Sequence, residues 1–176
     1  MSAHLYVVRG FLDAGLCHDV RAAMDRGTAE AAEVLADAIT EQHDVRRAES
    51  IDVDPGVFTS IEQRLDEQLP AIEAFFGVPL NGREGAGLLR YRDGGFYRPH
   101  RDRGEDVAWP GAALRAITMV VFLNDDGFTG GVLRVGDTEV PPVAGTLVAF
   151  TADTLHEVTP VRGAPRDSVV DWCLSC

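Results

Sequence analysis

The 176-residue chain contains no lysine; all sixteen basic residues are arginine, set against 28 Asp and Glu, for a net charge of −12. So acidic a protein repels phosphate backbones and anionic lipid, which argues against nucleic acid or a membrane surface as a general partner. Cysteine is scarce and odd in number: Cys17, Cys173 and Cys176. That excludes a disulfide framework, and the terminal Cys173-x-x-Cys176 spacing reads as coincidence rather than a redox or zinc pair. No run approaches the ~18 apolar residues of a membrane span. Residues 1–10 lack the cationic flank and long apolar stretch of a signal peptide, so a cytoplasmic protein is expected. Low-complexity segments and internal repeats are missing too. What the chain does have is 45% apolar residues, enough for one domain-sized core.

Residues 1–82 are the more acidic part and read as helical. Asp13 can cap a helix whose apolar positions Leu16, Val20 and Met24 recur every three or four residues. Alanine-rich 28–39 predicts another helix on propensity. Asp54-Pro55-Gly56 breaks the chain. Thr59 and Glu62 then have capping-box spacing before Ile61, Leu65 and Leu69, Pro70 bends or restarts that helix, and Phe75-Phe76-Gly77 ends it. Leu5-Tyr6-Val7-Val8 is a strand candidate.

From residue 83 onward, Gly and Pro punctuate short apolar runs at 87–91, 116–123, 131–135, 146–150, 155–161 and 168–174. Asn124-Asp125-Asp126-Gly127 and Val135-Gly136-Asp137 are turn signals. Strands so spaced, with no helices between them, predict an antiparallel sandwich or barrel. The expectation is one domain over 1–176, mainly β with flanking helices (α+β): helical support over 1–82 and a β core over 83–176 that carries the site.

Of the five histidines, His4, His18 and His43 lie in terminal or polar surroundings and read as solvated. His100 and Asp102 are spaced i, i+2, which on a strand turns both side chains to one side. His156 opens the 155–161 run, and a facing strand would bring it to the same point. Two histidines and a carboxylate can hold Fe(II) with three positions open. Arg166 lies ten residues further on, with Ser168 on the same strand face. An arginine fork with a neighbouring hydroxyl clamps a carboxylate; the competing reading is a salt bridge to Asp167 or Asp171. Five arginines (Arg90, Arg92, Arg98, Arg101, Arg103) surround the His100 run. They form either a rim for an anionic substrate or a strand edge paired with Asp93, Glu105 and Asp106. Residues 105–111 read as a loop over the site, with Trp109 packing on substrate or scaffold.

The run Tyr91-Arg-Asp-Gly94-Gly-Phe-Tyr97-Arg-Pro-His100-Arg-Asp102 resembles the metal-binding strand of the prolyl 4-hydroxylase-like 2-oxoglutarate/Fe(II) dioxygenases. Arg115-Ala-Ile-Thr118 through Asn124, Gly130-Gly131, Gly145 through Phe150, His156 through Val161, Gly163-Ala-Pro-Arg166 and Trp172 follow in the order of that family. The resemblance implies a double-stranded β-helix (jelly roll) and iron ligands His100, Asp102 and His156. It further implies 2-oxoglutarate contacts from Arg166 and Tyr91, beside the Ser168 of the clamp. Tyr97 and Trp172 match aromatic positions close to the metal. For Tyr97 and Trp172 plain core packing is the competing reading; Thr118 is read first as core and second as a cosubstrate contact, and Arg115 stands with these three as a substrate contact or a support of the ligands. The cofactors implied are Fe(II), 2-oxoglutarate and O₂, with ascorbate as a supporting reductant. The activity implied is hydroxylation of an unactivated C–H bond of a small molecule or an amino-acid or peptidyl side chain, releasing succinate and CO₂. Two other readings stay open: a nucleic-acid demethylase on the same scaffold, and a non-oxygenase metal-binding sandwich of the cupin type.

Overall fold

Strand alternation decides the architecture. In the run from Arg115 to Phe122, residues Ile117, Met119 and Val121 face one apolar core, and Val120 and Phe122 face another. A strand buried on both faces is a central strand between two layers. The structure, a computed structural model, describes residues 4–32, 42–104 and 110–175.

The larger sheet has the antiparallel order β1 (Tyr6–Val8), β12 (Leu147–Thr151), β8 (Arg115–Phe122), β15 (Arg166–Leu174), β6 (Gly87–Tyr91), β4 (Glu49–Asp52) and β2 (Thr28–Ala31), with β5 (Gly82–Arg83) also on β15. The smaller sheet runs β11 (Thr138–Val140), β10 (Leu133–Val135), β13 (His156–Val158), β7 (Phe96–His100) and β3 (Arg46–Arg47). A short ribbon pairs β14 (Val161–Gly163) with β9 (Phe128–Gly130). Tyr91, Phe122, Val148 and Phe150 of the larger sheet pack against Tyr97, Leu133, Val135 and Val158 of the smaller one. This is the expected jelly roll, and its interior, between the two sheets, is where the site lies. The outer face of the larger sheet packs on two helices, α1 (Ala14–Arg26) and α3 (Thr59–Phe76), through Val20, Met24, Ile61, Leu65 and Ile72. A short helix α2 (Gln42–Val45) leads into β3.

The helix ends show which local signals were used. Asp13 caps α1 by accepting from Leu16 N at 2.8 Å, and Gly77 ends α3 in the left-handed region at φ 66°. The helix α3 runs through Pro70. Its expected capping box does not form: Phe58 is the cap residue, and the Glu62 carboxylate turns outward to Ala86 N and Arg83. The helix expected over 28–39 is also corrected. Thr28–Ala31 forms edge strand β2, paired with Glu49–Asp52; residues 33–41 lie outside the described residues. The ladder to β4 outweighs alanine's weak intrinsic preference. The first half is therefore not only helical support, since β1, β2 and β4 extend the larger sheet and β3 the smaller. The run 155–161 divides at Thr159-Pro160 into β13 and β14, which belong to different sheets. No helix among the described residues is long and apolar enough to cross a membrane.

Gly145 joins the sheet to the entry of α1. It sits at φ +77°, its carbonyl accepts from Leu12 N at 3.0 Å, and a Cβ there would overlap the Leu12 carbonyl oxygen. Gly145→Ala is expected to cost about 1–3 kcal/mol, as a forced left-handed residue plus a clash. Urea unfolding, with an unchanged slope and a lowered midpoint, checks this.

Candidate metal centre

His100 is the last residue of β7 and lies directly across from His156, the first residue of β13. Asp102 is not on the strand, as the i, i+2 argument required. It lies two residues past the end of β7, in a bend fixed where Asp102 N and Arg103 N both donate to Ala152 O, at 2.9 and 3.0 Å. The bend, not strand alternation, returns the carboxylate to the imidazoles. The ligand atoms of His100, Asp102 and His156 all lie within 4.8 Å of one another, and this is the only such three-residue group among the described residues. Asp102 Oδ1 is 3.3 Å from His100 Nε2, and Oδ2 is 3.3 Å from His156 Nε2.

Each imidazole is oriented by a backbone carbonyl. His100 Nδ1 donates to Arg98 O at 2.8 Å and His156 Nδ1 to Thr154 O at 2.9 Å. With Nδ1 holding the proton, Nε2 can present its lone pair to a metal. Burial alone would raise the Asp102 pKa, but the imidazoles of His156 and His100 hold it well below the usual carboxylate range. Burial lowers His100; it acts the same way on His156, where the Asp102 carboxylate overcomes it and raises the pKa. The carboxylate is thus ionised, as metal binding requires.

Aromatic and polar neighbours lock this geometry. The Tyr97 ring stacks on His100 with centroids 3.4 Å apart and planes 16° from parallel, and the Arg46 guanidinium lies over Tyr97 at 4.4 Å. Burial raises the Tyr97 pKa, keeping a neutral phenol. Thr118 Oγ1 donates to Asp102 Oδ2 at 2.7 Å, and Trp172 Nε1 donates to the same oxygen at 2.9 Å. The hydroxyl of Thr118 is thus engaged by the Asp102 carboxylate. Arg115 lies 3.7 Å over the Trp172 ring and pairs with Glu84 at 2.7 and 2.6 Å.

Arg166 shares the inner face of β15 with Ser168 and Trp172. It is 1% exposed, and its Nε and Nη2 have no hydrogen-bond partner among the described residues. Its guanidinium lies 5.2 Å from the Tyr91 ring, directly across on β6, and 5.3 Å from that of Phe122. Burial lowers its pKa. The salt-bridge reading fails on alternation: Asp167 and Asp171 face the other way, Asp167 to Arg90 and Arg21, Asp171 to Arg83. A buried cation with two unused donors on one edge is the complement of a carboxylate. Glycine at 131 makes room, since a Cβ there would come within 2.7 Å of Arg166 Cδ.

The five arginines do not form one rim. Arg90 is buried on the outer face in a two-point pair with Asp167 at 2.7 and 2.9 Å. Arg92 pairs with Glu49, Arg101 and Arg103 donate to the carbonyls of Asp153 and Ala113, and Arg98 lies near the Phe96 ring. Asp93 accepts from Gly163 N at 3.0 Å. Glu105, Asp106 and Trp109, and so most of the expected covering loop, lie outside the described residues. Two contributors escaped the sequence reading altogether, Glu84 and Arg46. Neither sits in a motif, and only the fold brings them near.

The sequence profile of the 2OG-Fe(II) oxygenase superfamily matches residues 86–174, the stretch that contains His100, Asp102, His156 and Arg166. The chain belongs to this superfamily. Its curated relatives include PKHD-type hydroxylases from Maricaulis maris (36% identical over 93 residues, 50% of this chain and 41% of that protein) and Shewanella baltica (26% over 136 residues, 74% and 61%). The chain spans less than two thirds of the length of these relatives. Among solved structures, a prolyl-4-hydroxylase from Pseudomonas putida superimposes with a TM-score of 0.77 at 27% identity, covering 99% of this chain and 94% of that one. A viral collagen prolyl hydroxylase from Paramecium Bursaria Chlorella virus-1, in its 2OG complex, shares the fold at 23% identity and a TM-score of 0.72, covering 98% and 97%. The cofactors of the 2OG-Fe(II) oxygenases are Fe(II), 2-oxoglutarate and O₂. The residues present suit them: two nitrogens and one carboxylate for the metal, an unpartnered buried arginine for the far carboxylate of the keto acid.

Proposed function

We propose that the chain is a hydroxylase of peptidyl proline or a closely similar side chain, with His100, Asp102 and His156 as iron ligands. Arg166, with Tyr91 and Ser168, holds 2-oxoglutarate. The observation that carries this reading is the pairing of the His–Asp–His cluster with Arg166, whose buried donors Nε and Nη2 lack a hydrogen-bond partner among the described residues. It favours an oxygenase over a cupin-type sandwich, because a metal site alone gives no reason to bury such a cation. Iron, 2-oxoglutarate and O₂ bound together supply oxidation of a C–H bond, with the cosubstrate converted to succinate and CO₂. The protein's part is placement. The carbonyls of Arg98 and Thr154 aim the two Nε2 atoms, Tyr97 fixes the plane of His100, and Arg166 sets the reach and orientation of the dicarboxylate. No protein nucleophile is needed.

Prolyl peptides are the favoured substrate class because the Pseudomonas putida prolyl-4-hydroxylase matches nearly the whole chain in both sequence and fold. The net charge of −12 weighs against a nucleic acid. The test is to incubate iron-loaded protein and 2-oxoglutarate with a panel of proline-containing peptides, free amino acids and an alkylated oligonucleotide. Mass spectrometry is expected to show a prolyl peptide gaining one oxygen atom, with succinate released in step. Gain on free amino acids alone overturns the peptidyl substrate, and demethylation of the oligonucleotide overturns the substrate class. Because Asp102 fills the carboxylate position, chloride buffer is expected to yield no chlorinated product.

A further inference from the structure

The Asp102 carboxylate is asymmetrically solvated by the protein. Thr118 and Trp172 are directly opposed across β8 and β15, so both side chains reach the same point, and both donate to Oδ2, at 2.7 and 2.9 Å. A carboxylate oxygen has two in-plane lone pairs, and two donors engage both. Oδ1 lies 3.3 Å from His100 Nε2 and Oδ2 the same distance from His156 Nε2, so the Thr118 and Trp172 donors, not the imidazoles, distinguish the two oxygens.

The indole is itself held from outside. Arg115 covers its ring at 3.7 Å and is gripped at two points by Glu84. Glu84 N donates to Trp172 O at 2.9 Å, and Arg115 Nη1 reaches the Asp102 carbonyl at 3.4 Å. One chain of contacts therefore runs from Glu84 through Arg115 and Trp172 to the carboxylate.

Resting on the iron-site reading above, we propose that Trp172 and Thr118 are positioning residues that restrict Asp102 to binding the metal through Oδ1 alone, with Glu84 and Arg115 propping Trp172 in that role. The consequence lies in the ligand count. Two imidazoles and one carboxylate oxygen leave three of six positions open, two for a chelating keto acid and one for O₂. A carboxylate binding through both oxygens would take one of the three and compete with the cosubstrate.

Trp172→Phe keeps an aromatic ring beside Arg115 and removes the pyrrole edge with its N–H donor; Thr118→Val replaces the hydroxyl donor with a methyl group. Fe(II) affinity is measured anaerobically by chelator competition, and 2-oxoglutarate affinity by titrating the iron-loaded protein. Each single variant is expected to weaken Fe(II) binding by about tenfold, the lower end of the effect of losing a ligand's outer hydrogen bond. The double variant should lose more, and its 2-oxoglutarate affinity should fall as well. Thr118→Ser should behave as wild type, and Arg115→Met should move both affinities in the same direction by a smaller factor. Thermal midpoints of the metal-free proteins separate this from general destabilisation. A double variant that binds Fe(II) and 2-oxoglutarate as wild type does overturns the positioning role. Wild-type protein that fails to bind Fe(II) overturns the iron-site reading itself, a different result.

Discussion

Arg166→Met is expected to abolish measurable 2-oxoglutarate binding while leaving Fe(II) bound and the metal-free protein as stable as wild type, or more so. Two charge-assisted hydrogen bonds are lost, each worth roughly 1.5–3 kcal/mol, together about 10²- to 10⁴-fold in affinity. Arg166 touches none of the three metal donors, so the metal should stay. The stability arm follows from the burial. Arg166 is 1% exposed, its Nε and Nη2 have no hydrogen-bond partner among the described residues, and burial lowers its pKa. Replacing an uncompensated buried charge with an apolar side chain of similar length is often neutral or stabilising by about 1–4 kcal/mol. Arg166→Lys should lie between, since it keeps the charge and loses the fork. Calorimetric titration and thermal melts read both arms. Wild-type cosubstrate affinity in Arg166→Met would remove the residue from the clamp.

His156→Ala is expected to lose stoichiometric Fe(II) and all turnover. Losing a ligand should weaken metal binding by more than the roughly 10–100-fold typical of losing an outer hydrogen bond. No described histidine other than His100 and His156 belongs to the cluster, so no substitute donor is at hand. The fold should survive, because Asp102 keeps its bonds from Thr118 and Trp172 and its backbone bond to Ala152. Metal analysis beside circular dichroism checks this. A folded His156→Ala protein with one iron per chain would place the third ligand elsewhere.

Much of the site could be read from the chain because its residues sit in local motifs. His156, and Arg166 with Trp172 six residues on, lie on strands that the apolar runs located within a residue or two, while His100 ends a strand that no apolar run marked and Asp102 follows it in a bend. The i, i+2 argument named two residues that the structure does bring together, but by another geometry, since β7 ends at His100 and Ala152 supplies the bend. A carbonyl fifty residues away leaves no mark in a local pattern. The same holds for Glu84 and Arg46, which long-range register alone brings near the centre. Arg90 shows the converse: it stands beside Tyr91 in sequence, yet strand alternation sends it to the outer face and Asp167. Thr28–Ala31 looked helical by composition, and only pairing with β4, invisible locally, made it a strand.

The central claim is that His100, Asp102, His156 and Arg166 together hold Fe(II) and 2-oxoglutarate in one site. Adding 2-oxoglutarate to the anaerobic iron-loaded protein tests it most directly, because a keto acid chelating Fe(II) produces a visible charge-transfer absorption. The account predicts a saturable band that needs both components and reaches one equivalent per chain in wild type. It should be absent in His156→Ala, and in Arg166→Met it should appear only at far higher 2-oxoglutarate. Iron-loaded wild-type protein that shows no band at any 2-oxoglutarate concentration would contradict the account.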